Sequence, residues 1–198
     1  MRCITVTSPA QGDGKSTIAL NAAITMAHVE PRVLLIDADL RRPSLHSKLN
    51  RELGRGLSDV LVGTAELRDV ITQTEHDGLD LLTSGTRTVN SVKLIQSDRF
   101  DAVLAELLET YQTVIIDAPA LMPVVDAAIL ATKSDGTVLV VSIDSSDSHV
   151  VQRAVAKLHS VGVRNIVGTV ANRVQPSRRV SYDDYFFLET SPVQNALP

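Results

Sequence analysis

The sequence predicts an α/β fold, specifically a three-layer α/β/α sandwich with a mostly parallel central sheet. Six short, largely apolar segments recur along the 198 residues, as expected for strands that are covered on both faces. Helical patterns separate these segments, and strands that alternate with helices form parallel sheets through right-handed crossovers. With 44% hydrophobic residues, the chain can bury one sizeable core.

The predicted strands are runs rich in Val, Ile and Leu. They comprise residues 3–8, 32–38, 79–85, 113–119, 136–143 and 164–172. Ligands of parallel α/β sheets bind at the carboxyl ends of the strands. The residues that follow these runs are therefore the first candidates for a functional site.

The predicted helices fill the intervals between the strands. They comprise residues 15–29, 57–62, 91–110, 124–132 and 146–161. The first of them is apolar nearly all round, with Ile18, Leu20 and Ile24 among its residues. A helix of this kind is predicted to be buried rather than to lie at the surface.

The composition excludes several classes of protein. A net charge of −4 argues against broad attraction to nucleic acid, so we predict no nucleic-acid partner. The single cysteine, Cys3, excludes a disulfide framework and a cysteine-based metal site. No apolar run is long enough for a signal peptide or a membrane span, and the expected location is the cytoplasm.

The segment after the first strand has the character of a phosphate-binding loop. Glycines there allow a tight backbone, and the N-terminus of the following helix attracts anions. Lys15 would reach the β- and γ-phosphates, Ser16 would ligate Mg²⁺, and Thr17 would lie near the α-phosphate. The usual motif begins with glycine where this chain has Pro9, so an ordinary turn is the alternative. The residues assigned to the nucleotide are Gln11, Gly12, Asp13, Gly14, Lys15, Ser16 and Thr17.

Two aspartates follow the second strand, in the segment VLLIDADLRRP. Asp37 and Asp39 lie on the same side of the pleat, where two carboxylates repel each other unless a cation compensates them. Mg²⁺ bound to ATP would supply that charge, whereas a helix cap or a turn explains only one aspartate of the pair. Arg41 and Arg42 would contact phosphate or the acidic groups of a neighbouring subunit, or else remain solvated surface charges.

A third acidic signal, Asp117, ends the strand TVIIDAP. In phosphate-loop enzymes an aspartate at this position holds Mg²⁺, although many strands end in aspartate as a turn former. We therefore predict Ser16, Asp37 and Asp117 as the magnesium site. The predicted catalytic residues are Lys15, Asp37, Asp39 and Asp117.

The segments GDGKST, VLLIDADLRRPSLH, GLSDVLVG and GTVAN, in this order, resemble the bacterial tyrosine kinases of capsule and exopolysaccharide synthesis. These kinases belong to the deviant phosphate-loop (P-loop) ATPases, together with septum-positioning and plasmid-partition proteins. The resemblance runs from residue 3 to about residue 187. It implies a P-loop NTPase fold, ATP and Mg²⁺ as cofactors, and tyrosine autokinase activity that regulates polysaccharide synthesis and export.

The resemblance also implies roles for individual residues. Asp37 and Asp39 would assist metal binding and activation of the tyrosine hydroxyl, and Asp117 would be the Walker B aspartate. Asn172 and Arg173 take the position that contacts the adenine base in the wider group. On this basis residues 1–172 are a P-loop nucleotide-binding kinase domain, and residues 173–198 are a flexible C-terminal tail.

The sequence departs from the family pattern at several positions, which bear on the branch of the family and on its assembly. Partition-type ATPases have a lysine where this chain has Ala10, which favours the kinase branch. Gln11 replaces a proline that is frequent in that branch, and the family's PPNP stretch is reduced to RTVNSVKLI. The chain begins at the first strand, without the preceding ExxRxxR helix that packs such kinases into rings. Either the sequence is a fragment of a longer protein, or the protein does not assemble in that way, so the resemblance leaves ring assembly and phosphorylation between ring neighbours open.

The aromatic residues cluster in the tail, in the segment SYDDYFFLE. By resemblance, Tyr182 and Tyr185 are the autophosphorylation sites, and the acidic residues between them could meet basic groups of another subunit. The alternative is an aromatic clasp, in which Phe186 and Phe187 anchor the tail on the domain. Tyr111, just before a predicted strand, is expected to be structural.

Three functions follow from these features. The leading hypothesis is an ATP-dependent protein-tyrosine kinase, whose partners would be a membrane-protein activator of polysaccharide export and further copies of itself. Such a partner would place it peripherally at the inner face of the plasma membrane. The second hypothesis is an ATPase switch of the partition or septum-positioning type, which hydrolyses ATP to control partner binding. The third is a nucleotide-binding regulatory module with little catalysis.

Overall fold

The structure is a computed structural model that describes residues 1–144 and 146–174. Its strands are β1 (Cys3–Thr7), β2 (Val33–Asp37), β3 (Ile71–Gln73), β4 (Leu79–Leu82), β5 (Thr113–Asp117), β6 (Gly136–Ser142) and β7 (Ile166–Asn172). They form one sheet in the order β3-β4-β2-β5-β1-β6-β7, in which β3 alone pairs antiparallel. This sheet confirms the predicted α/β class.

Helices lie on both faces of the sheet. They are α1 (Lys15–Ala27), α2 (Leu45–Lys48), α3 (Leu57–Val62), α4 (Leu67–Val70), α5 (Ser91–Ile95), α6 (Asp98–Thr110), α7 (Asp126–Thr132) and α8 (Ser148–Ser160). In the described part of the chain, no helix combines the length and the apolar character needed to cross a membrane.

The alternation of side chains along the strands divides the core into two clusters. In β2, Val33 and Leu35 belong to the cluster with α1 and α2, whereas Leu34 and Ile36 belong to the cluster with α3 and α5 to α8. All four side chains are fully or almost fully buried. Because both faces are covered, β2 is apolar at every position before its terminal aspartate, as the prediction assumed.

Three elements differ from the sequence prediction. The predicted helix 91–110 is divided into α5 and α6, because Ser97 adopts an extended conformation and its hydroxyl caps α6 by accepting from the Phe100 N–H. The strand β3 and the short helices α2 and α4 were not predicted. The short edge strand β3 is half-buried at Ile71 and otherwise exposed, so it lacks the apolar run that marks a buried strand.

Burial of two predicted elements also differs. Only Ser16, Ala19 and Ala23 of α1 are buried, and its larger apolar residues are half-buried. The small alanines, one turn apart, pack in the same core cluster as Val33 and Leu35 of β2. The strand β7 is largely exposed because it forms the sheet edge. Tyr111, as expected, is structural: it is buried, and its hydroxyl donates to Asp80 at 2.7 Å.

Asp59 joins α3 to the segment that follows β4. Its carboxylate accepts hydrogen bonds from the N–H groups of Gly56 and Thr86, both at 2.9 Å, and from the Thr86 hydroxyl at 2.7 Å. Burial raises the pKa of Asp59, but these hydrogen bonds outweigh burial and hold the pKa below its ordinary value. The same segment continues to Thr88, whose N–H donates to the carbonyl of Leu40, next to Asp39.

We predict that Asp59→Ala lowers the free energy of unfolding at pH 7 by about 2 kcal/mol, because the buried N–H of Gly56 and the N–H of Thr86 lose a charged acceptor. The folded-state pKa is depressed, so this stabilisation is complete above the unfolded pKa of about 4 and disappears as pH falls through the folded-state value. Urea unfolding of both proteins at pH 7 and pH 3 measures the difference. Asp69→Ala, at an exposed carboxylate, is the matched control. An equal difference in the free energy of unfolding at both pH values would contradict the claim that the ionised Asp59 carboxylate provides this stabilisation.

Candidate active site

The sheet register brings the ends of three strands together. Asp117, at the end of β5, is paired with Val6 of β1 on one side and with Asp37 of β2 on the other. The loop that follows β1 therefore begins beside both aspartates. The sequence predicted only that these residues lie at the same edge of the sheet, because it does not give the order of the strands.

The loop between β1 and α1 is closed by its own residues and by β7. Gly12 and Gly14 have φ angles of 92° and 97°, a region that favours glycine. The Asp13 carboxylate accepts from the Ala10 N–H at 2.8 Å, and Asn172 Nδ2 donates to the Asp13 carbonyl at 2.9 Å. A Cβ atom on Gly14 would lie 2.1 Å from Asn172 Nδ2. The loop is thus held against the end of β7.

Lys15 lies among the acidic groups. Its Nζ is 3.7 Å from Asp117 Oδ1 and 3.8 Å from Asp39 Oδ2, and it donates to the Ser16 hydroxyl at 3.1 Å. The Lys15 side chain is 14% exposed, so solvent only weakly screens these charges. One ammonium group therefore offsets part of two carboxylate charges at the base of the loop.

Asp117 is fully buried, and neither of its carboxylate oxygens has a hydrogen-bond partner among the described residues. Its pKa is raised to about 7: burial is the main cause and the charges of Asp37 and Asp39 add to it, while Lys15 and the Ser16 hydroxyl lower the pKa. A buried carboxylate with open oxygens beside a hydroxyl fits a divalent cation.

The residues fit a magnesium ion better than a metal held by protein alone. No group of three or more His, Cys, Asp or Glu side chains is arranged to hold a metal ion within residues 1–144 and 146–174. Mg²⁺ usually takes one or two carboxylates and completes its octahedron with water and phosphate oxygens. Ser16 and Asp117 are suitably placed for such a site.

Asp37 makes the contacts of a helix cap. Its Oδ2 accepts from the N–H groups of Ser44 and Leu45, both at 2.9 Å, and its Oδ1 accepts from the Asp39 N–H at 3.2 Å. Burial raises its pKa although these hydrogen bonds lower it. These contacts agree with the alternative interpretation from the sequence, in which one aspartate of the pair forms a helix cap or a turn. A role of Asp37 toward magnesium or in catalysis stays a prediction.

Asp39 and the residues after it approach the loop. Asp39 Oδ1 accepts from the Arg42 N–H at 3.0 Å, which leaves Oδ2 on the side of Lys15. The Arg42 guanidinium donates to Gln11 Oε1 at 2.6 Å, and the Lys48 ammonium donates to the Thr17 hydroxyl at 2.9 Å. The sequence analysis missed Lys48, because α2 is too short to give a periodic signal.

Both polar groups of the Asn172 side chain are used within the chain. Its Nδ2 holds Asp13, and its Oδ1 accepts from the N–H of Arg173 at 2.9 Å. Contact of Asn172 and Arg173 with an adenine base stays a prediction. Tyr182 and Tyr185 lie outside the described residues, as does most of the predicted tail.

Two cavities of about 300 Å³ each adjoin at Lys15. The first, which we name the phosphate cavity after the predicted role of its loop, is lined by Gly12, Gly14, Ser16, Thr17, Ser44, Lys48 and Arg173. The side cavity is lined by Arg41, Pro119, Ala120, Pro123 and Val124. Four residues form the wall that the two cavities share, namely Gln11, Lys15, Asp39 and Arg42. The first cavity is polar and glycine-lined, whereas the second has an apolar side.

The AAA domain family model matches residues 1–174. The chain is 33% identical to the tyrosine-protein kinase YwqD of Bacillus subtilis, over 93% of this chain and 78% of that one. It is 32% identical to the tyrosine-protein kinase CpsD of Streptococcus pneumoniae, over 89% and 78% of the two chains. The chain belongs to the bacterial tyrosine-protein kinases. This confirms the family resemblance and the kinase activity predicted from the sequence motifs.

Solved structures agree with this membership. The kinase domain of Escherichia coli ETK superposes with a TM-score of 0.85 at 29% identity, covering 91% of this kinase and 71% of that chain. Septum site-determining protein MinD from Pyrococcus horikoshii, solved with Mg-ADP, gives a TM-score of 0.74 at 24% identity, over 92% of this kinase and 75% of MinD. The second likeness shows a shared fold and confirms the P-loop NTPase class.

We predict that Gly14→Ala lowers the Tm more than Gly12→Ala does. Both glycines have positive φ, but a methyl group on Gly14 would collide with Asn172, whereas one on Gly12 would have no described residue within 4 Å apart from its chain neighbours. Adding Asn172→Ala to the Gly14→Ala protein should recover the difference in Tm. Scanning calorimetry of the single and double variants measures this, and equal Tm values for the two glycine variants would refute the close contact.

Proposed function

We propose that this kinase transfers the γ-phosphoryl group of Mg-ATP to tyrosine hydroxyls, including Tyr182 and Tyr185 of its own tail. The observation that carries the proposal is the position of Lys15, within 4 Å of Asp39 and Asp117 at the base of the glycine loop. A cation and two acidic groups at one point are what phosphoryl transfer requires for alignment and charge stabilisation.

The phosphate cavity would hold the triphosphate. The N–H groups of residues 11–17 and the positive end of α1 favour an anion, and Lys15 would neutralise the β- and γ-phosphates. Thr17 and Lys48 already form a polar pair on the same cavity wall, where an α-phosphate could replace their hydrogen bond. Arg173 lines the same cavity, and together with Asn172 it would meet the base.

Ser16 and Asp117 would hold Mg²⁺, with Asp37 behind them. The ion would neutralise phosphate charge during transfer. Once the positive charge of Mg²⁺ is present, Lys15 would move from the carboxylates toward the phosphates, because the negative charges of Asp39 and Asp117 would then be compensated. The open oxygens of Asp117 are the feature of the structure that supports this assignment.

Asp39 would orient the acceptor. Its Oδ2 faces Lys15, at the wall shared with the side cavity, so a tyrosine hydroxyl there could donate to it. In the transfer step, the phenol oxygen forms a bond to the γ-phosphorus while the bond from that phosphorus to the β–γ bridging oxygen breaks. ADP leaves, and the phenolic proton passes to Asp39. Most of the acceleration would come from positioning and electrostatics rather than from covalent chemistry.

We further propose that a membrane protein activates this kinase, that further copies of the chain associate with it, and that the regulated process is capsule or exopolysaccharide export. This proposal rests on the family resemblance alone. The corresponding location is the inner face of the plasma membrane, through the partner. Copurification of the kinase with membranes of its own host, compared before and after a high-salt wash, tests this location.

Incubation with Mg²⁺ and γ-labelled ATP, followed by mapping of the label, tests the proposed acceptors. We expect label on Tyr182 and Tyr185, and a loss of about 100-fold or more in Lys15→Met, because the charge that stabilises the transferred group is removed. Lys93→Met, at an exposed lysine of α5, should label normally. Free phosphate without labelled protein would instead support an ATPase switch, and nucleotide binding without either product would support a regulatory module.

A further inference from the structure

The side cavity is built as a continuation of the phosphate cavity. The two share Gln11, Lys15, Asp39 and Arg42, so any group in the side cavity lies next to the predicted position of the γ-phosphate. The side cavity has about 300 Å³ of space and is not lined by the glycines of the loop. It is therefore placed to admit the second reactant.

Hydrogen bonds on both sides hold the apolar side of this cavity in place. The N–H groups of Leu121 and Met122 donate to the carbonyls of Ser8 and Pro9, at 2.8 and 3.2 Å. On the far side, the Lys157 ammonium donates to the carbonyls of Leu121 and Val124. The wall formed by residues 119–124 is thus tied to the loop and to α8. An aromatic ring would pack on such a preformed apolar surface at little entropic cost.

Arg41 supplies the positive charge at the rim. Its Nε lies 3.6 Å from Asp126 Oδ1, and its side chain is 37% exposed, while that of Asp126 is 2% exposed. Within the described residues, the terminal guanidinium nitrogens of Arg41 make no hydrogen bond. Arg42 differs, since its guanidinium is already bound to Gln11. Arg41 is therefore oriented by a buried carboxylate and still has donors free for a second one.

We infer that Arg41 selects acceptor tyrosines that have an acidic neighbour. This inference rests on the proposed function and adds a substrate preference to it. The ring would pack on Pro119 and Pro123, the hydroxyl would meet Asp39, and the adjacent carboxylate would bind Arg41. The tail of a second copy has this chemistry, since Asp183 and Asp184 stand between its two tyrosines.

A two-chain assay separates acceptor binding from nucleotide binding. The donor kinase carries Tyr182→Phe and Tyr185→Phe, so it cannot accept phosphate in its tail. The acceptor chain carries Lys15→Met, so it cannot transfer phosphate. Initial rates of labelling, measured against acceptor concentration at saturating Mg-ATP, give the KM and kcat for the acceptor.

We expect Arg41→Gln in the donor to raise this KM about tenfold and to change kcat little, while Arg41→Lys restores part of the effect. With acceptor tails that carry Asp183→Asn and Asp184→Asn, the KM should already be raised, and Arg41→Gln should add nothing further. The effect should shrink as salt rises from 50 to 300 mM, since an exposed ion pair is screened. Arg68→Gln, at an arginine far more exposed than Arg41, is the matched control and should leave KM unchanged.

Two results would overturn the inference. The first is an unchanged KM in Arg41→Gln. The second is an equal rise in KM for the acidic and the amide tails, which would show that Arg41 acts only by positioning α7 through Asp126. In both cases labelling by the donor persists, so the proposed function stands. If the donor that retains Arg41 labels no acceptor at all, the proposed function fails and this inference fails with it.

Discussion

The ammonium group of Lys15 lies between the carboxylates of Asp39 and Asp117, and the site depends on this balance of charge. Gathering these aspartates and Asp37 at one sheet edge costs free energy, because like charges repel strongly where solvent is excluded. Lys15 offsets part of that cost. The pKa of Asp117 is nevertheless raised to about 7, chiefly by burial and in smaller part by Asp37 and Asp39. A divalent cation that arrives with the nucleotide, as we propose, would complete the offset, so that substrate binding and relief of repulsion would be one event.

The same site is held by segments that are distant in the sequence. Asn172, at the end of β7, fixes the loop at Asp13, and Leu121 fixes it at Ser8. Asp37 binds the first N–H groups of α2, and the α2 region in turn brings Arg42 and Lys48 to the loop. Fold and site are therefore coupled. A change at Leu121 or Ser8 would therefore act on the loop from outside the residues assigned to the nucleotide.

The strands and their acidic ends were predictable because each carries a local signal. A buried parallel strand is apolar at consecutive positions, and the polar residue that ends it marks the functional edge. Other features have no such signal. The break between α5 and α6 depends on one serine, β3 has no buried run, and the exposure of β7 depends on its place at the edge. Lys48 reaches Thr17 only because Asp37 positions α2, which no spacing in the sequence reveals.

By itself, the sequence determined the fold class, the position of the glycine loop between strand and helix, and the family, because these depend on residue type and local order. The tertiary structure alone decided which aspartate of the DAD segment faces Lys15, which one caps a helix, and which residues line the side cavity. Those outcomes depend on strand register and on hydrogen bonds between segments tens of residues apart. The two carboxylates of the DAD segment look alike in the sequence, and only their partners in space distinguish them.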